Sequence, residues 1–73
     1  MPRVLKPIHL RKGMIISGYS GMPEELEGFS FYILEVESSS DGSVWVSGNR
    51  IGFESPADDT LYFYDFTYVK VSN

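Results

Sequence analysis

The sequence predicts a small all-β domain in which five to six short antiparallel strands curl into a barrel. The chain has 73 residues, of which 42% are hydrophobic and 15% aromatic. Its apolar residues fall in short β-branched and aromatic runs, and no window of about eleven residues carries the apolar stripe of an amphipathic helix. Most of its seven glycines stand at the ends of these runs. A chain of this length forms one domain, so we expect a single barrel domain over residues 1–73.

The strands are predicted from the runs of β-branched and aromatic residues. The clearest runs cover residues 14–19, 29–37, 43–47, 61–64 and 69–71, with weaker candidates at 4–5 and 50–53. Pro23 opens and Gly28 follows a short acidic segment, which predicts at most one helical turn near residues 23–27. Residues 55–60 are expected to form a turn before the last aromatic strand, with a break at residues 65–67.

The two strands that flank the serine-rich loop are expected to form the central hairpin. Placing Val36 opposite Val44 puts Leu34 opposite Val46, and all four side chains then face the core. Because burial fixes the register of a strand pair more strongly than turn preference does, we predict this pairing.

The same register places Trp45 opposite Glu35 on the other face of the hairpin. A two-residue turn at Asp41-Gly42 is a common hairpin solution, but it would pair the valines with polar residues. The predicted register therefore requires a longer loop or a bulge near Ser39–Gly42.

Two segments resemble SH3-like small barrels. Residues 7–16, Pro-Ile-His-Leu-Arg-Lys-Gly-Met-Ile-Ile, resemble the extended segment that ends in a basic-glycine turn and enters the first long strand. Residues 65–71, Asp-Phe-Thr-Tyr-Val-Lys-Val, resemble the short 3₁₀ turn before the last strand. The resemblance implies an SH3-like barrel. It does not extend to binding of proline-rich peptides, because the chain has one Trp instead of a Trp pair, and Tyr62-Phe63-Tyr64-Asp65 lies at the wrong end.

The net charge of −4 is distributed unevenly. Residues 13–73 hold Arg50 and Lys70 against ten acidic residues. Residues 1–12 form an extended basic leader without an acidic residue, and its cations are Arg3, Lys6, Arg11 and Lys12. An ordinary soluble surface accounts for this balance, and so does an acidic face that meets a basic partner. Duplex binding by the whole surface is disfavoured, because phosphate contacts need clustered Lys and Arg.

Few residues carry the chemistry of an enzyme. The chain has no cysteine, which excludes thiolate zinc sites and favours a reducing, cytoplasmic location. His9 is the only histidine, and we expect it in a surface loop without the partners of a catalytic triad. No phosphate-binding loop motif is present. No apolar run has the length of a membrane span. We therefore expect no catalytic residues, cofactor, metal site or membrane association.

The aromatic residues point to a binding surface. Tyr62 and Tyr64 share one face of their strand while Phe63 lies on the other, because side chains alternate along a strand. The curled sheet either covers this second face or leaves it as a contact patch of the kind enriched at interface hot spots. The predicted contact residues are Trp45, Tyr62 and Tyr64, rimmed by Glu35, Glu37, Asp58 and Asp59.

These features favour a non-enzymatic module that binds another protein, and we expect that partner to present a basic contact surface. In its size and acidity, the chain resembles small phage-encoded or mobile-element accessory proteins. Such proteins bind a host protein and inhibit or redirect it. One alternative is a nucleic-acid-binding barrel that stacks bases on its aromatic face. Another is a structural subunit of a virion or larger complex. The sequence leaves the oligomeric state open.

Overall fold

The computed structural model describes residues 3–23, 28, 30–51 and 57–73. Its elements are β1 (Arg3–Leu5), a 3₁₀ turn (Pro7–His9), β2 (Ile15–Tyr19), β3 (Ser30–Ser38), β4 (Val44–Ile51), β5 (Ala57–Phe63) and β6 (Val69–Val71). An all-β fold with six strands is therefore confirmed. Residues 24–27 of the predicted helical turn, the predicted strand start at residue 29 and residues 52–53 of the weaker strand candidate fall outside the described residues. The basic leader contains β1 and the 3₁₀ turn.

All six strands belong to one antiparallel sheet in the order β1-β6-β2-β3-β4-β5. Strands β2 to β5 follow one another as a meander, and β6 inserts between β1 and β2. Within the described part of the chain, β1 and β5 each pair on one side only, so the sheet is open. Closure into an SH3-like barrel is not confirmed.

The central hairpin has a different register from the predicted one. Val36 lies opposite Val46, and Val44 lies opposite Ser38. Trp45 consequently faces Glu37 instead of Glu35. The predicted pairing was wrong by two residues because it required Leu34 to lie opposite Val46 in the core, whereas the turn closes between Ser39 and Ser43 and β3 is interrupted at Leu34.

The interruption is a β-bulge at Leu34. The register shifts between Ile33, which pairs with Gly48, and Glu35, which pairs with Ser47. Leu34 is left without a partner and is 44% exposed, so its predicted place in the core was wrong. Bulges of this kind bend a strand and redirect its side chains.

The longer loop predicted for this hairpin is confirmed. The Ser39 amide donates to the Ser43 carbonyl at 2.8 Å, and the Gly42 amide donates to the Ser39 carbonyl at 3.1 Å. Gly42 has a φ of 89°. A three-residue turn that ends in a left-handed glycine suits a twisted hairpin.

The turn predicted over residues 55–60 was wrong for residues 57–60, which begin β5. Residues 55–56 lie outside the described residues. Arg50 and Ile51 complete β4. The predicted break at 65–67 is confirmed, since the Thr67 amide donates to the Tyr64 carbonyl at 3.0 Å and closes one turn.

The core lies on one face of the sheet. Its buried residues are Leu10, Ile16, Phe31, Ile33, Val44, Val46, Phe63, Val69 and Val71. Each large apolar side chain removed from water contributes about 1.5–3 kcal/mol. The Tyr19 ring meets the Phe63 ring edge-on, with centroids 5.0 Å apart. Since β4 and β5 place their apolar residues on this inner face, their alternate residues point to the outer face.

Candidate functional site

Four aromatic side chains form a continuous row on the outer face, which we call the aromatic ladder: Trp45, Tyr62, Tyr64 and Phe66. Trp45 and Tyr62 are cross-strand partners in β4 and β5, with ring centroids 4.5 Å apart. Tyr62 and Tyr64 meet edge-on at 5.1 Å. Tyr64 and Phe66 stack at 5.3 Å with an interplanar angle of 4°. Edge-on and stacked contacts of this kind hold the rings in fixed relative positions.

The ladder is open to solvent. Trp45 is 47% exposed, Tyr62 36%, Tyr64 56% and Phe66 68%. By contrast, Phe63 between the two tyrosines is buried. The predicted division of faces is thus confirmed, and no described residue covers the outer one. Phe66 was absent from the predicted contact residues, although its two-residue spacing from Tyr64 signalled a shared face.

Acidic side chains border the ladder on the same face. Glu37 lies opposite Trp45, and Glu35 lies two pairs further along β3, opposite Ser47. On β5, the Asp58 carboxylate accepts a hydrogen bond from the Asn49 side-chain amide. The structure therefore gathers six of the seven predicted residues on one face.

Asp59 is the exception. Its register partner is Gly48, which is buried, and its carboxylate makes an ion pair with Arg50 at 3.3 Å. Burial raises the pKa of Tyr19, and the negative charge of Asp59 raises it further. Because neighbouring residues of a strand point to opposite faces, Asp59 does not join Asp58 at the rim.

A shallow depression of about 490 Å³ adjoins the ladder along the sheet. It lies between Leu34 and Glu35 of β3 and Asp58 and Thr60 of β5. Ser47 contributes to its floor, and its hydroxyl oxygen is 3.4 Å from that of Thr60. The depression therefore offers hydroxyl and carboxylate oxygens, which suit a cationic side chain.

A second groove of about 320 Å³ lies where β5 ends. Its walls include Tyr19 and Ser20 on one side and Tyr62, Tyr64 and Phe66 on the other. The ladder thus runs from an acidic depression at one end into an aromatic groove at the other.

The strand order separates the charges of the molecule. Described residues within 30–65 include six acidic side chains and one basic side chain, Arg50. The described residues before and after them include no acidic side chain and five basic ones, which are Arg3, Lys6, Arg11, Lys12 and Lys70. Since β3, β4 and β5 are neighbours at one end of the sheet, the ladder stands in a negative field.

The described residues contain no group of three or more His, Asp or Glu side chains placed to hold a metal ion. His9 lies exposed in the 3₁₀ turn on the basic side of the sheet. In the part of the chain that the structure describes, no helix is long and apolar enough to cross a membrane.

The Asp41 carboxylate accepts two hydrogen bonds within the β3–β4 turn. The hydroxyl and amide of Ser43 donate to its carboxylate at 2.5 Å and 3.0 Å. These hydrogen bonds lower the pKa of Asp41. The carboxylate therefore serves the β3–β4 turn.

Comparison of the chain with known protein families, curated proteins and solved structures found no match.

Proposed function

We propose that this protein is a non-enzymatic binding module whose aromatic ladder contacts a basic surface of another protein. The observation that carries the proposal is the exposure of four consecutive ladder rings on one face. Monomeric soluble proteins rarely expose continuous apolar patches unless the patch is a contact surface. Trp and Tyr provide a large contact area at a low cost in side-chain entropy, which is why they dominate interface hot spots.

The charge around the ladder supports a partner that presents Arg or Lys. Cations bind over the faces of Trp and Tyr rings, where each contact contributes about 0.5–2 kcal/mol. Glu37 stands beside Trp45, so a cation over that ring meets a carboxylate as well. Acidic surroundings also accelerate encounter with a basic surface and repel acidic ones.

Affinity capture from the source cells followed by mass spectrometry identifies the partner. The affinity of the wild type and of the variants is then measured with the purified partner. Trp45 is the only Trp, so its fluorescence reports directly on the ladder. We expect Tyr62→Ala and the double substitution Glu35→Lys with Glu37→Lys each to weaken binding at least about tenfold, as loss of a hot-spot contact does.

Tyr68→Ala is the matched control. Tyr68 is also an exposed tyrosine, at 55%, but its ring lies beside Lys6 on the basic side of the molecule. The Tyr68→Ala variant should bind the partner with the affinity of the wild type. If the ladder variants keep the wild-type fold by circular dichroism and also keep wild-type affinity, the ladder is not the contact surface.

A second candidate function is supported by the five cations on the β1, β6 and β2 side of the sheet. This side suits an anionic partner, and the second candidate is therefore nucleic-acid binding with the ladder as a base-stacking surface. The ladder lies on β4 and β5, away from these cations, which weakens this alternative. Fluorescence anisotropy with single- and double-stranded DNA and RNA at low salt tests it. Absence of binding at protein concentrations on the order of tens of micromolar would remove it.

For the architecture, we propose an SH3-like small barrel. The insertion of β6 between β1 and β2 and the short turn before β6 support it. This barrel stays open between β1 and β5, so a nuclear Overhauser spectrum should show no backbone contacts between these two strands. Such contacts would indicate closure and would leave no free edge on β5.

For the biological role, we propose a cytoplasmic accessory protein of phage or mobile-element type that modulates a host protein. The acidity and the lack of cysteine support it. A structural subunit would instead form a defined oligomer, which light scattering detects.

A further inference from the structure

Strand β5 forms an open edge of the sheet. Among the described residues it pairs with β4 and with no other strand. In an antiparallel pair, alternate residues direct their amide and carbonyl groups away from the partner strand. About half of the backbone hydrogen-bonding groups of β5 therefore face outward at this edge, as they do at any edge strand.

This edge borders the face that carries the candidate site. Asp58, Thr60 and Tyr62 alternate along the outer face of β5. At the end of β5, the aromatic groove opens between Ser20 and Phe66, and Tyr62 forms part of its wall. An extended segment laid along the edge would therefore pass an acidic side chain first and the aromatic rings next.

We propose that β5 accepts an extended basic segment of the partner protein as a seventh strand of the sheet. The inference rests on the proposed function and adds the binding mode. Backbone hydrogen bonds to β5 supply affinity, and alternate side chains of the segment supply specificity. Its Arg or Lys side chains lie on the outer face, where they meet Asp58 and the Tyr62 ring.

Charge complementarity favours a basic segment over the β5 strand of a second copy. Two β5 strands side by side would bring two Asp58-Asp59 pairs into one short ladder, and like charges close together destabilise a strand pair. Each copy also carries a net charge of −4, which opposes self-association.

The test uses the full chain, labelled with ¹⁵N, and a synthetic peptide of alternating Arg and Thr. The peptide has seven residues, which is the length of β5. We expect amide hydrogen exchange to slow at least about tenfold at alternate residues of β5 when the peptide binds, because new backbone hydrogen bonds protect them. A peptide with Glu in place of Arg is the charge control and should not bind.

Two N-methylated peptides separate strand addition from binding on the face alone. Methyl groups on the amides that face β5 should weaken binding at least about tenfold, whereas methyl groups on the other amides should not. If both methylated peptides bind equally and β5 exchange is unchanged while Tyr62→Ala still weakens binding, strand addition is overturned and the proposed function stands.

Two further outcomes also overturn the inference. The first is absence of binding by the Arg peptide. The second is that the chain alone self-associates in sedimentation velocity and that its β5 amides are already protected from hydrogen exchange, because a second copy would then occupy the edge.

Discussion

Replacing Gly48 with Ala should disrupt the contact between β3 and β4 at the bulge. A Cβ atom built on Gly48 would lie 1.9 Å from the Tyr32 carbonyl oxygen and 3.0 Å from a carbon of the Phe31 ring. The first distance is far below van der Waals contact, and the atom it meets belongs to the backbone. The strand must therefore move, and with it the hydrogen bonds on both sides of Leu34.

The expected cost is about 3 kcal/mol, the upper end of the range for an overpacked core, because backbone has to shift. A domain of this size has a free energy of unfolding of roughly 4–11 kcal/mol, so the loss is a large fraction. The melting temperature should fall by roughly 12–24 °C. Urea unfolding followed by circular dichroism measures the free energy, and a thermal scan measures the melting temperature.

Gly18→Ala is the control. Gly18 is also a buried strand glycine without a positive φ, but its Cβ would meet only the Met22 terminal methyl group, at 3.9 Å. We expect its free energy of unfolding within about 1 kcal/mol of the wild type. The reasoning is refuted if Gly48→Ala unfolds at the wild-type urea concentration, or if the two variants lose equal stability.

Three further predictions concern stability and pH. In urea unfolding, Trp45→Ala should lower the free energy of unfolding by about 1–2 kcal/mol and Phe31→Ala by about 3–5 kcal/mol, because of the two only Phe31 is fully buried. Equal losses would mean that the ladder belongs to the core. Since Ser43 lowers the pKa of Asp41, the stability that Asp41 contributes is complete above its ordinary pKa and is lost as the pH falls through the folded-state value. Urea midpoints of the wild type and Asp41→Asn should therefore differ at neutral pH and converge in acid; a constant difference would contradict this. Burial raises the pKa of Tyr19, so the stability that the neutral tyrosine contributes is complete below the ordinary tyrosine pKa and is lost as the pH rises through the raised value. In alkali, the wild type should therefore lose free energy of unfolding relative to Tyr19→Phe. Parallel plots of the free energy of unfolding against pH for the two proteins would contradict this.

The strand content of the fold follows from the sequence because side-chain type and alternation mark it directly. Ser30–Ser38 and Val69–Val71 fall within a residue of their predicted bounds where the structure describes them. The register of the central hairpin could not be predicted, because neither the pair Ser39–Ser43 that closes its turn nor the bulge at Leu34 is marked by side-chain alternation. The strand at Ala57–Phe63 was hidden by two adjacent aspartates.

The aspartates of β5 are tolerated because each has a cross-strand partner. Asn49 donates to Asp58 on the outer face, and Arg50 pairs with Asp59. Neither partner can be identified before the register is known. Asp59 was predicted at the rim with Asp58 because residues 55–60 were expected to form a turn, in which side chains do not alternate. The shared face of Tyr62 and Tyr64 needed only the alternation within one strand.

The insertion of β6 between β1 and β2 has a consequence for the order of folding. Strands β2 to β5 form successive hairpins, so each pairs with a strand that is near it along the chain. In contrast, Arg3 donates to the carbonyl of Asn73, 70 residues away along the chain. Asn73 also accepts from the Ile15 amide across 58 residues. Because closing long loops costs more entropy, the β1–β6 side should assemble after the meander. The acidic face with the aromatic ladder is then complete at a stage when strands β1 and β6 are still unpaired.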